Sequence, residues 1–543
     1  MNNQKIFLIV AILLSLFLLN EQWDRQHAVD TNGNLIYQPK TANTATNVAS
    51  NTNDQALNVP SAISTTLATA DVPIAKETNS GSFVTVNTDL LTLEISRKGG
   101  TITNAWLNDY PIELGSEPKF QLLSDKSGEL FQAQSGLLPS KQMPTHHSFF
   151  SSGQSYYQMQ GDSLVVPLIW KSENGTVVTK NYHFTKGSYV VNVDYQVSNN
   201  SNNSVDVTSY TQLVRNALDQ SNIMMPTYTG GAKYDDQEVF EKIAFDEFDE
   251  QPKTTSKGGW MAMIEHYFFV AMIPEAQNTH NYSSKINNGK YLLTIVNPAQ
   301  SVAAGTTTTL STNALYIGPK EQERIDSLAP GLDKTVDYGI LFIIAKPLSE
   351  VLHWIYSFVQ SWGYAIIILT ILIKLAFYKL SEKSYRSMAG MRKLSPRLAK
   401  LKETYGDDKQ KMGQKTMELY KKEKINPAAG CLPILVQIPV FISLYWVLLE
   451  MVELRQTPFW YLLDLSAPDP FYILPLIMGV SMFVQQKLNP PPPDPMQAKI
   501  MMALPFVFTI FFLWFPSGLV LYWVVNNILS ITQQWIINKR ING

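Results

Sequence analysis

Hydrophobic and polar residues alternate along the first half of this chain and gather into long apolar blocks in the second. In Ser188–Val197, Tyr189, Val191, Val193, Tyr195 and Val197 share one face, opposite Val190, Asn192, Asp194 and Gln196. That period of two predicts a half-buried antiparallel strand. The Ser/Asn-rich run Ser198–Ser204 signals a turn, and Val205–Leu213 returns. Leu91, Leu93 and Ile95 alternate before Lys98-Gly99-Gly100; Leu164–Trp170, Val177–Phe184, Tyr291–Asn297 and Thr306–Ile317 are further candidates. Many short strands between turn signals predict a β-sandwich, assigned to residues 83–344.

The period then changes. Over 345–359, Leu348, Val351, Leu352, Ile355 and Phe358 make a stripe, the pattern of an amphipathic helix lying in a membrane interface. Residues 360–543 hold five apolar blocks: Trp362–Tyr378, Gly430–Val452, Pro470–Gln486, Ile500–Phe515 and Ser517–Ile537. Each is about 16–23 residues, close to bilayer length. A sixth block, Ile6–Leu19, spans about 21 Å as a helix, and Lys5 and Trp23 extend it as interface anchors. No small-x-small site follows it, so residues 1–23 read as an uncleaved signal anchor, with a signal peptide as the alternative. Residues 24–82 are rich in Asn, Thr, Ala and Ser and too poor in apolar surface to fold, which makes them a flexible linker. The expected fold is a polytopic α-helical membrane protein of six transmembrane helices with a large β-sandwich.

Residues 381–425 are polar but helix-forming. Met388, Met391, Leu394, Leu398 and Leu401 precede Gly406-Asp407-Asp408, and Met412, Met417, Leu419 and Tyr420 follow it. This predicts an antiparallel helical hairpin with Arg392 and Lys393 on its first arm.

Charge orients these elements. The net charge of −2 hides an asymmetry: residues 21–346 sum to −11 and residues 347–543 to +8. Fourteen Lys and Arg fall within 379–424, whereas the loop between Gly430–Val452 and Pro470–Gln486 has only Arg455. The positive-inside rule places the hairpin and both termini in the cytoplasm and residues 24–359 largely in the periplasm of a bacterial inner membrane. Near-neutral total charge argues against a direct nucleic-acid role. With Cys431 as the single cysteine, disulfide frameworks and cysteine metal sites are excluded.

The candidate chemistry is polar rather than catalytic. Lys374 sits in Ile366–Phe377, otherwise apolar apart from Thr370. A charge deep in a span costs roughly 2.5–3.5 kcal/mol on insertion scales, so such residues face a bundle interior or a wet cavity. A hydrated cavity is expected for Lys374, and snorkelling toward Lys379 is the alternative. Thr370 lies one turn before Lys374, Gln437 is mid-span, and Asn526, Asn527, Ser530 and Gln534 share the last block. Individually they read as interhelical hydrogen bonds; as a set they read as a polar groove. No carboxylate lies mid-span, as a proton relay would need, and no Gly-rich phosphate loop occurs. His146-His147 lacks a third ligand and reads as ordinary sandwich residues, and the acidic run Asp235–Glu250 lacks calcium-loop spacing. No cofactor, metal or enzymatic reaction is expected.

Several motifs carry a resemblance. Gly406-Asp407-Asp408-Lys409-Gln410, Asn426-Pro427, Gly430-Cys431-Leu432-Pro433, Gln437-Ile438-Pro439-Val440-Phe441, Asp494-Pro495-Met496-Gln497 and Phe515-Pro516-Ser517-Gly518-Leu519 are similar to those of the YidC/Oxa/Alb membrane protein insertases. The chain resembles the long bacterial form with a periplasmic domain. The resemblance implies an insertase and chaperone for newly made inner-membrane proteins, working alone or with the Sec translocon through a hydrophilic groove open to cytoplasm and lipid. It implies that Lys374 replaces the usual groove arginine. It implies that Thr370, Tyr522 and Trp523 contact substrate and that Gln437 and Asn527 line the groove. The hairpin, with Arg392, Lys393, Gly406, Asp407 and Asp408, would recruit substrate. The short Lys539–Gly543 segment weakens tail-mediated ribosome docking. A small-solute transporter or a passive scaffold of a translocation channel is the rival reading.

Overall fold

The computed structural model describes residues 82–139, 142–216, 227–237, 239–251, 253–405, 408–423, 432–489 and 495–542. The expected anchor 1–23, the linker up to residue 81, and Gly406 and Asp407 lie outside the described residues.

The alternating segments form two sheets, of eleven and nine strands among the described residues. One runs from Thr254–Lys257 through Thr279–Asn287, Lys290–Val296, Val205–Asn216, Phe131–Leu138, Thr101–Pro111 and Leu91–Ser96 to Phe83–Asn87 and Tyr156–Gln158. The other runs from Phe240–Ile243 through Gly230–Tyr234, Trp260–Ile264, Phe268–Ile273, Ala314–Pro319, Val190–Asn199 and Val177–Thr185 to Ser163–Lys171. Pairing is antiparallel except between Phe83–Asn87 and Tyr156–Gln158. Leu93, Ile95, Ile102 and Phe131 from one sheet and Val166, Leu168, Tyr182 and Val191 from the other share one apolar core. In Val190–Asn199, Val191, Val193, Tyr195 and Val197 are buried in alternation, as a one-sided strand requires.

Two features depart from simple alternation. The expected strand Thr306–Ile317 is two strands, Thr306–Ser311 and Ala314–Pro319, both paired to Val190–Asn199. They part at Thr312, whose hydroxyl and backbone N–H both donate to the Val193 carbonyl. The second departure is Lys180, buried between the sheets. Its ammonium donates to the carbonyls of Gly99 at 3.0 Å and Gly100 at 2.9 Å, and desolvation holds its pKa well below the usual lysine value. His146 is equally internal: Nδ1 meets the Tyr210 hydroxyl at 2.6 Å, and burial, then the His147 and lysine charges, push its pKa down to about 3.

The helices are α1 Phe342–Val359, α2 Trp362–Ala376, α3 Tyr378–Tyr405, α4 Lys409–Lys422, α5 Leu432–Glu450, α6 Ile473–Leu488, α7 Pro495–Phe511 and α8 Ser517–Asn542. Among the described residues no single helix is long and apolar enough to cross a membrane by length and composition alone, although Trp362–Ala376 and Tyr378–Leu394 pass together. In α8 the reason is visible: its polar residues dilute an otherwise apolar helix. The described residues of 383–433 fall in a different compact unit from the sandwich and the other described helices. Within it Arg397 on α3 pairs with Glu423 after α4 at 2.7 Å, and Asp408 caps α4 by accepting from the Lys411 N–H at 3.0 Å.

The sandwich is bolted to the end of α5. Lys320, just past the last strand, pairs with Glu450 at 3.1 Å with both side chains buried. A ring nitrogen of His266 meets the Leu449 carbonyl at 2.9 Å, and Arg455 and Gln456 each donate to the Pro111 carbonyl at 2.8 Å. Helix α1 has apolar residues on two faces. Ala345, Leu352 and Ile355 turn inward with Ser349, while Phe342, Ile343, Val351, Trp354 and Phe358 are exposed. The single expected stripe is thus divided, because α1 packs on the protein as well as presenting an apolar outer surface.

Candidate functional site

Helices α2, α5 and α8 each place polar side chains at one location. Lys374, in the last turn of α2, donates from Nζ to Ser530 Oγ on α8 at 2.7 Å and reaches Gln437 Oε1 on α5 at 3.4 Å. Gln437 Nε2 donates to Asn526 Oδ1 at 2.5 Å, and Ser530 Oγ donates back to the Asn526 carbonyl at 2.7 Å. One ammonium, one carboxamide pair and one hydroxyl therefore form a continuous chain. Ser530 is buried, but Lys374, Gln437 and Asn526 are only half-buried, so the chain has an open side. Ile371, Leu372 and Leu375 on α2 and Leu435 and Ile438 on α5 are exposed alongside it. The arrangement offers hydrogen bonds and one positive charge beside an apolar wall.

The remaining candidates disperse. Asn527 faces away from Asn526: its Nδ2 donates to Ser481 Oγ on α6 at 3.0 Å, with both residues buried. Gln534 Nε2 lies 3.3 Å from the Leu488 carbonyl and Asn489 Oδ1. These residues tie α8 to α6 rather than joining Lys374. Thr370 is buried and donates to the Ile366 carbonyl of its own helix at 2.7 Å. Tyr522 is buried with its ring 6.2 Å from Phe441. Trp523 is half-buried and meets Phe441 edge-on at 4.3 Å. Arg392 and Lys393 are exposed on α3. Sequence reasoning passed over Ser481, although it interrupts the apolar run Ile473–Phe483, and it did not pair Lys320 with Glu450.

Two glycines allow close approaches, one between helices and one between a helix and the segment that follows α5. A Cβ on Gly479 of α6 would stand 2.0 Å from Thr509 Oγ1 on α7, and one on Gly363 of α2 would stand 2.1 Å from the Phe459 ring. Only glycine admits such approaches.

Comparison with known proteins fits this architecture. Residues 354–543 match the family described as 60Kd inner membrane protein, and residues 83–351 match the YidC periplasmic domain. The chain is therefore an inner-membrane protein with a periplasmic domain, and that domain is the sandwich. It is 72% identical over 543 residues, the whole of both chains, to the membrane protein insertase YidC of Vesicomyosocius okutanii. Its identity to the YidC of Ruthia magnifica is 74%, again over the whole of both chains. With that of Methylococcus capsulatus it is 48% over 468 residues, covering 84% of this chain and 86% of the other. A crystal structure of an active YidC insertase with the first transmembrane domain resolved aligns over 84% of this chain and 92% of that chain, at 16% identity and a TM-score of 0.40. The chain belongs to the YidC family of membrane protein insertases.

Proposed function

We propose that this insertase moves newly made membrane proteins into the bilayer through the polar chain of Lys374, Ser530, Gln437 and Asn526, using no cofactor and no covalent chemistry. The observation that carries this reading is the half-open hydrogen-bonded chain itself, flanked by exposed leucine and isoleucine side chains. A short polar segment of a client, costly to carry through hydrocarbon, is solvated by these groups while its apolar segment slides along Leu375 and Ile438 into lipid. Lysine supplies a compact, strongly hydrated charge rather than the rigid donor fork of an arginine, so the charge acts by holding water and polar backbone.

In this reading six helices span the membrane: residues 1–23, the segment Trp362–Tyr378 built on α2, and α5, α6, α7 and α8. Both termini are cytoplasmic, residues 24–359 are largely periplasmic, and α1 lies along the outer interface with Trp354 and Phe358 toward lipid. Fourteen basic residues in 379–424 support a cytoplasmic position for that segment. Helices α3 and α4 act there as a hairpin that receives clients, with Arg392, Lys393 and the Gly406–Asp408 turn at its working surface. The domain limits are those above: anchor 1–23, linker 24–82, sandwich 83–344, interfacial helix 345–359 and insertase core 360–543. The Sec translocon is the partner proposed for clients that do not insert unaided, and the ribosome is the weaker candidate.

The test is insertion of a single-span client into liposomes containing only this purified chain. Lys374→Arg keeps insertion and Lys374→Leu loses most of it. Equal activity of the two variants overturns the charged groove, and no insertion by the unaltered chain moves the role to that of a scaffold beside a channel.

A further inference from the structure

The segment between α5 and α6, residues 451–472, is a built platform. Phe459 and Leu462 close a tight turn by exchanging backbone hydrogen bonds at 2.9 and 3.0 Å. Phe459 packs inward against Gly363, and its ring meets Tyr364 edge-on at 5.2 Å. Buried Asp469 fixes the far side, accepting from the Tyr461 hydroxyl at 2.8 Å and from the N–H groups of Phe471 at 3.0 Å and Leu474 at 2.7 Å. Ser517 and Gly518 at the start of α8 donate to the Ala467 and Leu465 carbonyls, both at 2.8 Å.

This rigid frame aims apolar side chains outward. Trp460 is 92% exposed, Phe471 65%, Leu463 61% and Tyr472 50%. Trp460 and Tyr472 both sit in the left-handed region, at φ 59° and 57°, where bulky residues are rarely found. A glycine or asparagine would hold that backbone with less strain, and the indole gains no burial within the chain to offset it.

Chain connectivity names the contact. Helix α5 has 19 residues and α6 has 16, or about 28 and 24 Å of helix, at or below the thickness of a hydrocarbon core of about 30 Å. A loop joining two such spans lies at headgroup depth, where Trp and Tyr concentrate. We propose that the Phe459–Leu463 turn, with Phe471 and Tyr472, is an anchor seated in the outer-leaflet lipid interface, with Trp460 as its inserted residue. This rests on the reading that α5 and α6 span the membrane.

The test uses a Cys431→Ser background with a polarity-sensitive fluorophore on Trp460→Cys, or separately on Leu463→Cys. The full chain is placed in phosphatidylethanolamine and phosphatidylglycerol vesicles carrying nitroxides at the headgroup or near the acyl-chain end. Labels on Val480→Cys, on the exposed face of α6, and on Asn174→Cys, in an exposed sandwich turn, are the references. The expected result is blue-shifted emission at 460 and 463, lost to the headgroup nitroxide more than to the deep one and sheltered from aqueous iodide relative to 174. Iodide quenching equal to that at 174, with no loss to headgroup nitroxide, overturns the anchor while quenching of Val480 by the deep nitroxide leaves the span reading standing. An unquenched Val480 overturns both. Shelter at 460 that arises only when translocon proteins are added makes a protein the occupant and overturns the lipid assignment.

Discussion

Lys320 and Glu450 form an ion pair at 3.1 Å whose side chains are 1% and 0% exposed, linking the residue just past the last strand of the sandwich to the last residue of α5. One Glu450 oxygen receives the ammonium and the other has no hydrogen-bond partner. Desolvating two charges is costly, and removing either alone leaves the other buried and unpaired. Glu450→Ala or Lys320→Ala is expected to cost about 3–5 kcal/mol. The double change to Lys320→Met and Glu450→Leu should recover most of that loss. Thermal unfolding in detergent of the two single variants and the double variant checks it, and additive losses in the double variant would count against the pair.

His353 on α1 lies 3.4 Å from Glu453 and bonds through its other ring nitrogen to the Ser349 carbonyl at 2.8 Å. Burial lowers its pKa, but the hydrogen bond and charge of Glu453 outweigh burial, and the result is raised above the usual 6.5. A base with a raised folded value stabilises the fold fully below the unfolded pKa and loses that contribution as pH climbs through the folded value. Attachment of α1 should therefore be tightest below about pH 6.5 and loosen above it. Hydrogen exchange of α1 followed against pH, compared with His353→Gln, reads this; an unchanged pH profile in the variant refutes it.

Asn526 and Asn527 are neighbours with opposite duties. Asn527→Leu strips buried Ser481 of its donor and should cost about 0.6–1.7 kcal/mol of stability, with little change in groove polarity. Asn526→Leu removes a partner from half-exposed Gln437 and should lower insertion more than unfolding temperature. Measuring both quantities for both variants decides the matter, since parallel losses would mean that the two residues share one role.

Gly479→Ala places a methyl 2.0 Å from Thr509 Oγ1. Overpacking of this kind costs about 1–3 kcal/mol. Thr509→Ala clears the obstruction and should restore much of the stability of Gly479→Ala in the double variant, as a denaturation series would show.

The sandwich was legible wherever a strand had one wet face, because alternation then follows from burial alone, as in Val190–Asn199. Lys180 was not legible, since a lysine in an alternating strand reads as outward-facing, and only the Gly99 and Gly100 carbonyls explain its burial. Lys374 stood out as a charge in an apolar block. Its partners did not, because Gln437 lies 63 positions away and Ser530 lies 156 away. Spacing also failed to sort the polar residues of α8, where adjacent asparagines point to different helices. Thr370 shows the same limit: one turn from Lys374, it closes on its own backbone.

Helix α8 carries Asn526, Asn527, Ser530, Thr532, Gln533 and Gln534 close together, and alone it is a poor membrane segment. Its polar side chains find partners in Lys374, Gln437, Ser481 and Asn489, which belong to helices and turns made earlier in synthesis. Helix α8 therefore leaves the ribosome after the residues that satisfy its polar groups, and its place in the bilayer depends on helices that precede it. In its own biogenesis this insertase is a difficult passenger of the kind it exists to carry.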